Sequence, residues 1–210
     1  MAGARALRAQ GDLANAKELY AEAHRAWPGM DEPRIELADL LVSDGRELER
    51  AAALLGGVRA REGARFRLVA ARLAEVRGDD PGAVDGYARA LAVRDDPDTR
   101  LRRALALDRL GRAEEATAEL ERVRADRPRD ASLRALLGER YEAAGRFAEA
   151  ESEFRTAAES QPERAAGWER LARFYERRGR AAEAGAALGR AREAGARNGR
   201  ALRPLLPSKL

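Results

Sequence analysis

A 34-residue period constrains this chain more than any other feature of its sequence. Leu137, Gly138, Tyr141, Gly145, Ala150, Phe154 and Ala157 are followed 34 residues later by Leu171, Ala172, Tyr175, Gly179, Ala184, Leu188 and Ala191. The stretch from Pro97 carries Ala104, Leu107, Gly111, Ala116, Leu120, Val123 and Pro128 in the corresponding places, and Pro162 follows Pro128 at the same interval. A period of roughly 20–50 residues is the mark of stacked supersecondary units that share one continuous core.

Within each unit, apolar or small residues recur at three- and four-residue steps, first over a first segment and then again after a glycine. That spacing places them on one face of a helix, so each unit reads as two amphipathic helices joined by a tight turn. Gly111, Gly145 and Gly179 supply a permissive backbone at the turn. Ala104, Gly138 and Ala172 are small enough to let the partner helix approach. Pro128 and Pro162 stop the second helix, because proline cannot continue the hydrogen-bond ladder.

These residues resemble the tetratricopeptide repeat, whose pattern runs Trp–Leu–Gly–Tyr and then Ala–Phe–Ala–Pro. Trp168 is the early aromatic of that pattern, while Arg100 and Arg134 stand there in the two preceding units, and Arg103 replaces the apolar residue at Leu137. The resemblance divides the chain into an opening half-repeat (1–30), two degenerate units (31–63 and 64–96), three clearer units (97–130, 131–164 and 165–194) and a basic C-terminal cap or tail (195–210). It implies an all-α fold, a right-handed solenoid of antiparallel helix pairs. In the opening half-repeat only ten residues precede the turn at Gly11, so the first helix is short and the Ala16/Tyr20 face is expected to be partly uncovered.

Alanine, leucine, arginine and glutamate dominate and aromatics are 5% of residues, a mixture that favours helices. The formal net charge is +4. Arg192, Arg197, Arg200, Arg203 and Lys209 against Glu193 account for all of it, so residues 1–191 hold 35 basic and 35 acidic side chains. Basicity belongs to the tail. The neutral body and sparse aromatics argue against nucleic acid as a partner. There is no cysteine, no apolar run of membrane-spanning length and no secretory leader pattern at the start. A cytoplasmic, bacterial protein is the expectation, with a processed periplasmic or membrane-tethered domain as the alternative, and the terminal Ser208-Lys209-Leu210 is read as coincidence rather than as an address.

Catalytic chemistry is not expected. His24 is the only histidine and lies beside a packing position; no phosphate-binding loop, zinc-protease helix or nucleophile elbow occurs. The acidic pairs Asp79-Asp80 and Asp95-Asp96 read as helix caps. No metal or cofactor is called for. Trp168 reads as core and Trp27, before Pro28, as a helix-end packing residue.

By the resemblance, first helices of successive units line a concave groove for a protein or peptide partner. The groove positions it implies are Leu101, Leu105, Asp108, Arg109, Ala135, Glu139, Glu142, Glu169, Arg173, Glu176 and Arg177, with Ile35 nearer the start. The carboxylate clamp of chaperone-binding members is not implied, because its positions hold Arg67, Leu68, Ala71, Asp98 and Arg102 and no asparagine. A peptide along a mixed apolar and charged groove fits better. Self-association through an uncapped terminal helix is the alternative.

Overall fold

Local sequence sets where the helices begin. The carboxylates of Asp12, Asp79, Asp96 and Asp130 accept backbone N–H bonds from Asn15, Gly82, Thr99, and Ser132 with Leu133. Each fills donors that a first helical turn leaves open. In the computed structural model, which describes residues 1–197, these caps start α2 (Leu13–Ala26), α6 (Asp80–Val93), α7 (Pro97–Arg109) and α9 (Ala131–Ala143). The remaining helices are α1 (Ala2–Ala9), α3 (Asp31–Asp44), α4 (Leu48–Gly56), α5 (Ala64–Val76), α8 (Ala113–Asp126), α10 (Phe147–Ser160), α11 (Ala165–Arg177) and α12 (Ala181–Arg197). Among the described residues there is no strand, so the fold is all-α.

Six turns fold the helices back in pairs. Their glycines, from Gly11 to Gly179, have φ between 69° and 83°, a region that side chains with a Cβ enter only under strain. Close approach inside a pair is clearest at Gly138 in α9. A Cβ there would lie 2.9 Å from the ring of Phe154 in α10, and that ring is fully buried. The small residue is therefore a packing requirement.

The chain divides into two compact units, residues 1–119 and residues 120 onward. In the first, α3 packs on α2, α4 and α5, and α6 packs on α5 and α7. Tyr20, Leu37, Leu41, Ala51, Leu55 and Val69 share one cluster, and Tyr87, Val84 and Leu107 share another. In the second, α10 packs on α9 and α11, and α12 closes on α11. The rings of Phe154 and Phe174 lie 5.5 Å apart there.

Two expectations are corrected. Ala16 and Tyr20 are not left uncovered: both are completely buried, in a cluster with Ala4 from the short α1 and Leu37 and Leu41 from α3. The eight residues of α1 are enough to do this, with Ala4 in the cluster and Leu7 and the preceding Met1 packed against it. Trp27 does not pack at its helix end; it is 56% exposed where the chain leaves α2. The segment beyond residue 197, with Leu202, Leu205, Leu206 and Ser208-Lys209-Leu210, lies outside the described residues.

Buried carboxylates knit helices together. Asp39, in the apolar run Leu37–Val42 of α3, has no exposed surface. It pairs with Arg8 of α1 and with Arg65 and Arg72 of α5, Arg65 at 2.7 Å. Burial opposes its ionisation, but the guanidinium groups of Arg72, Arg65 and Arg8 outweigh this and hold its carboxyl below the usual range.

A second arrangement answers the arginines at the aromatic position of the repeat. Arg134 Nη1 donates to the buried Glu153 carboxylate at 2.7 Å, and Arg134 Nε donates to the Pro128 carbonyl at 2.7 Å. One unit later Trp168 Nε1 donates to the Pro162 carbonyl at 3.1 Å, and Ala187 replaces the glutamate, lining a recess with Trp168. In the first unit, Arg100 likewise reaches the buried Glu119 at 3.2 Å. The arginine reproduces the indole's bond to the loop, and the glutamate neutralises its charge.

Two stability outcomes follow. Asp39→Ala leaves three guanidinium groups without their shared carboxylate and lowers unfolding free energy by about 3–5 kcal/mol in urea titrations. Because the folded pKa of Asp39 is depressed, its contribution is complete above its unfolded value of 3.8 and is lost as pH falls further; the Asp39→Asn chain loses that part of the acid dependence. Arg134→Ala costs about 1–3 kcal/mol by leaving buried polar groups underpaired, and Arg134→Trp with Glu153→Ala recovers part of it. A double-mutant cycle measures the coupling.

Candidate functional site

Helical spacing puts Ser132, Ala135, Glu139 and Glu142 on one face of α9, and Ala166, Arg170, Arg173 and Arg177 on one face of α11. The structure joins these two faces. Arg177 makes a two-pronged ion pair with Glu142 at 2.7 and 2.8 Å, and this pairing raises the Arg177 pKa. Arg173 donates to the Glu169 carbonyl of its own helix at 3.3 Å. Glu139, Glu169 and Glu176 are exposed. Ala135 is buried and lines a recess between α9, α10 and α11 of about 200 Å³.

In the first unit, α7 carries the other residues named from sequence. Leu105 is exposed, while Leu101 and Asp108 are half-buried. Arg109 is engaged, with Asp80 at 2.7 Å and Glu75 at 3.2 Å. Glu75 also binds Arg102 at 3.4 Å and accepts the Tyr87 hydroxyl. Burial and then Glu75 push the Tyr87 phenol well above its ordinary range. Ile35 is half-buried and packs against the first core cluster.

Tyr141, the repeat's tyrosine in α9, donates to Glu121 at 2.7 Å. Burial and this bond push its phenol up to about 12, so it stays a neutral donor. His24 is half-buried, and burial with the charges of Arg34 and Arg50 lowers its pKa. Its Nδ1 has no hydrogen-bond partner among the described residues.

In this arrangement charged residues of neighbouring first helices neutralise one another, and small side chains leave recesses between them. The sequence placed Glu142 and Arg177 on this face but gave no sign that they occupy each other. It also missed the recess and its lining residues Arg164, Gly167 and Arg170. The available signal was the run of small residues at Ala131, Ala135, Ala166 and Gly167, which leaves the space above Phe154 unfilled.

Residues 101–154 and 136–199 each match the tetratricopeptide repeat family model. The matched stretch, residues 101–199, therefore carries tetratricopeptide repeats. Solved structures place almost all of the chain in that fold. YrrB, described as a tetratricopeptide repeat protein with an unusual peptide-binding site, superposes with a TM-score of 0.70 at 23% identity, over 85% of this chain and 93% of its own. The C-terminal part of a tetratricopeptide repeat-containing protein from Cytophaga hutchinsonii gives a TM-score of 0.77 at 16% identity, over 93% and 79%. MamA from Desulfovibrio magneticus gives 0.65 at 18% identity, over 78% and 96%. No curated protein sequence matches the chain. Among the described residues, no helix is long and apolar enough to cross a membrane.

The Arg177 guanidinium is half in water, 53% exposed, so its pair with Glu142 adds little stability. Arg177→Ala changes the unfolding free energy by about 0–1 kcal/mol, measured by urea denaturation. A change of that size leaves the variant folded for binding work.

Proposed function

We propose that the chain is a non-catalytic scaffold that binds a protein or peptide partner through the faces its first helices present, as part of a bacterial multiprotein complex. The observation that carries this reading is the open recess between α9 and α11, on the same face as the exposed charges of Glu139, Glu169 and Glu176. A repeat whose only task was to stack would gain by filling that space, since voids forfeit dispersion contacts. The likeness to YrrB adds weight, because that protein is described by its peptide-binding site. In the first unit, the exposed Leu105 beside Leu101 offers an apolar contact of the same kind.

An alternative, self-association, is favoured by one observation. Leu13, Leu19, Trp27 and Met30 are all exposed large apolar residues in or just after α2. Leu19 and Trp27 line a recess of about 340 Å³ with Met1. Exposed apolar patches of this kind mark association surfaces.

Both readings are tested on the intact chain. Affinity capture with Leu101→Glu plus Leu105→Glu is expected to lose a partner that the parent retains, and unchanged capture moves the site away from α7. Light scattering is expected to show monomer for Leu19→Glu plus Trp27→Glu. A parent that is itself monomeric at high concentration removes the self-association reading.

A further inference from the structure

Several arginines of the second unit are committed to carboxylates. Arg134 serves Glu153, Arg177 serves Glu142, and Arg180 serves Glu151 and Glu183. Arg164 and Arg170, both exposed, are not committed in this way. Neither side chain has an ion-pair or hydrogen-bond partner among the described residues, yet both line the same recess. The rest of that recess is apolar or weakly polar: Phe154 and Ala157 from α10, Ala135 from α9 and Gly167 from α11 line it with them.

The two arginines therefore leave positive charge uncompensated beside the recess. A carboxylate supplies the missing charge and accepts the paired N–H groups of an arginine in one plane. The cavity, about 200 Å³, takes an aliphatic side chain next to it. Gly167 keeps the recess wall at α11 low; α10 already lies so close there that a Cβ would sit 3.0 Å from Ala158 Cα.

We propose that this recess is a subsite for an extended acidic peptide, in which an Asp or Glu side chain is held by Arg164 and Arg170 while a neighbouring aliphatic side chain enters against Phe154 and Ala157. The inference rests on the scaffold reading above and adds the chemistry of the ligand. The carboxylate is a side chain rather than a chain end, because the α9–α11 face runs on past the recess through Glu139 and Arg173 to Glu142 and Arg177, so a bound chain continues across it. The same glutamates disfavour a polyphosphate backbone, which carries a charge at every unit, whereas a peptide needs only the one carboxylate at the recess.

The test is selection of a phage-displayed random dodecapeptide library on the full chain, followed by titration of the recovered sequences as synthetic peptides with blocked and free C-termini. The expected sequences place Asp or Glu beside Ala, Val, Ile or Leu, and blocked and free forms bind equally. Arg164→Glu plus Arg170→Glu weakens them at least about tenfold, the loss of a charge-assisted bond, and the same double variant comes to prefer peptides with Lys in place of the acid. Helical circular dichroism establishes that the variants are folded. Recovered peptides without an acidic preference, insensitive to the charge reversal but lost on Ala135→Trp, overturn this inference and leave the scaffold reading standing. Dependence on a free C-terminus overturns the side-chain assignment. Enrichment of no peptide, or retention of a single-stranded RNA dodecamer in its place, overturns both.

Discussion

Alanine recurs at the buried positions of every helix pair, from Ala4 and Ala16 to Ala172 and Ala191. An alanine offers its neighbours one methyl group, so a core built from it holds only where helices lie very close together. The distances are correspondingly tight: a Cβ added at Gly86 would sit 2.8 Å from that of Ala71, and one at Gly138 would touch Phe154. Dispersion falls off within an ångström, so this closeness is the condition on which the repeat depends. The turn glycines, the caps and the terminating prolines all hold helices at that separation.

Close packing of small residues leaves little apolar area to bind one repeat to the next, and charge makes up part of the difference. Asp39 gathers arginines from the helices on either side of it, and Glu119 and Glu153 take up the arginines that stand where the repeat pattern has an aromatic. Buried ion pairs are a weak source of net stability but a costly thing to break. They therefore fix register: a helix that slipped by one residue would strand a charge. The tandem Arg–Glu and Trp–Ala solutions at equivalent positions are two ways of filling the same site.

The fold was legible in the sequence because its determinants are local or periodic. Asp12, Asp79, Asp96 and Asp130 cap helices through bonds to residues two or three positions away, and the 34-residue period located the helix pairs of the second unit. Long side chains were not legible. Nothing in the order of residues says that Arg177 reaches back 35 positions to Glu142, or that Asp39 sits among three guanidinium groups. The charged positions on first helices were legible, but the particular pairings among them were not. The recess at Arg164 and Arg170 was hidden for a different reason: a cavity is made by side chains that are absent, on three helices at once. Trp27 was read as helix-end packing; it is the residue that ends α2, but more than half of it is exposed.

The central claim is that the first-helix face of the second unit is where a partner lies. A photo-crosslinking amino acid placed at position 166 on α11 or at position 148 on α10, both exposed alanines, tests it with a degenerate acidic peptide pool on the full chain. The account predicts strong cross-linking from position 166, abolished by excess unlabelled pool, and only background from position 148. Equal cross-linking from both positions, or a stronger signal from α10, would contradict it.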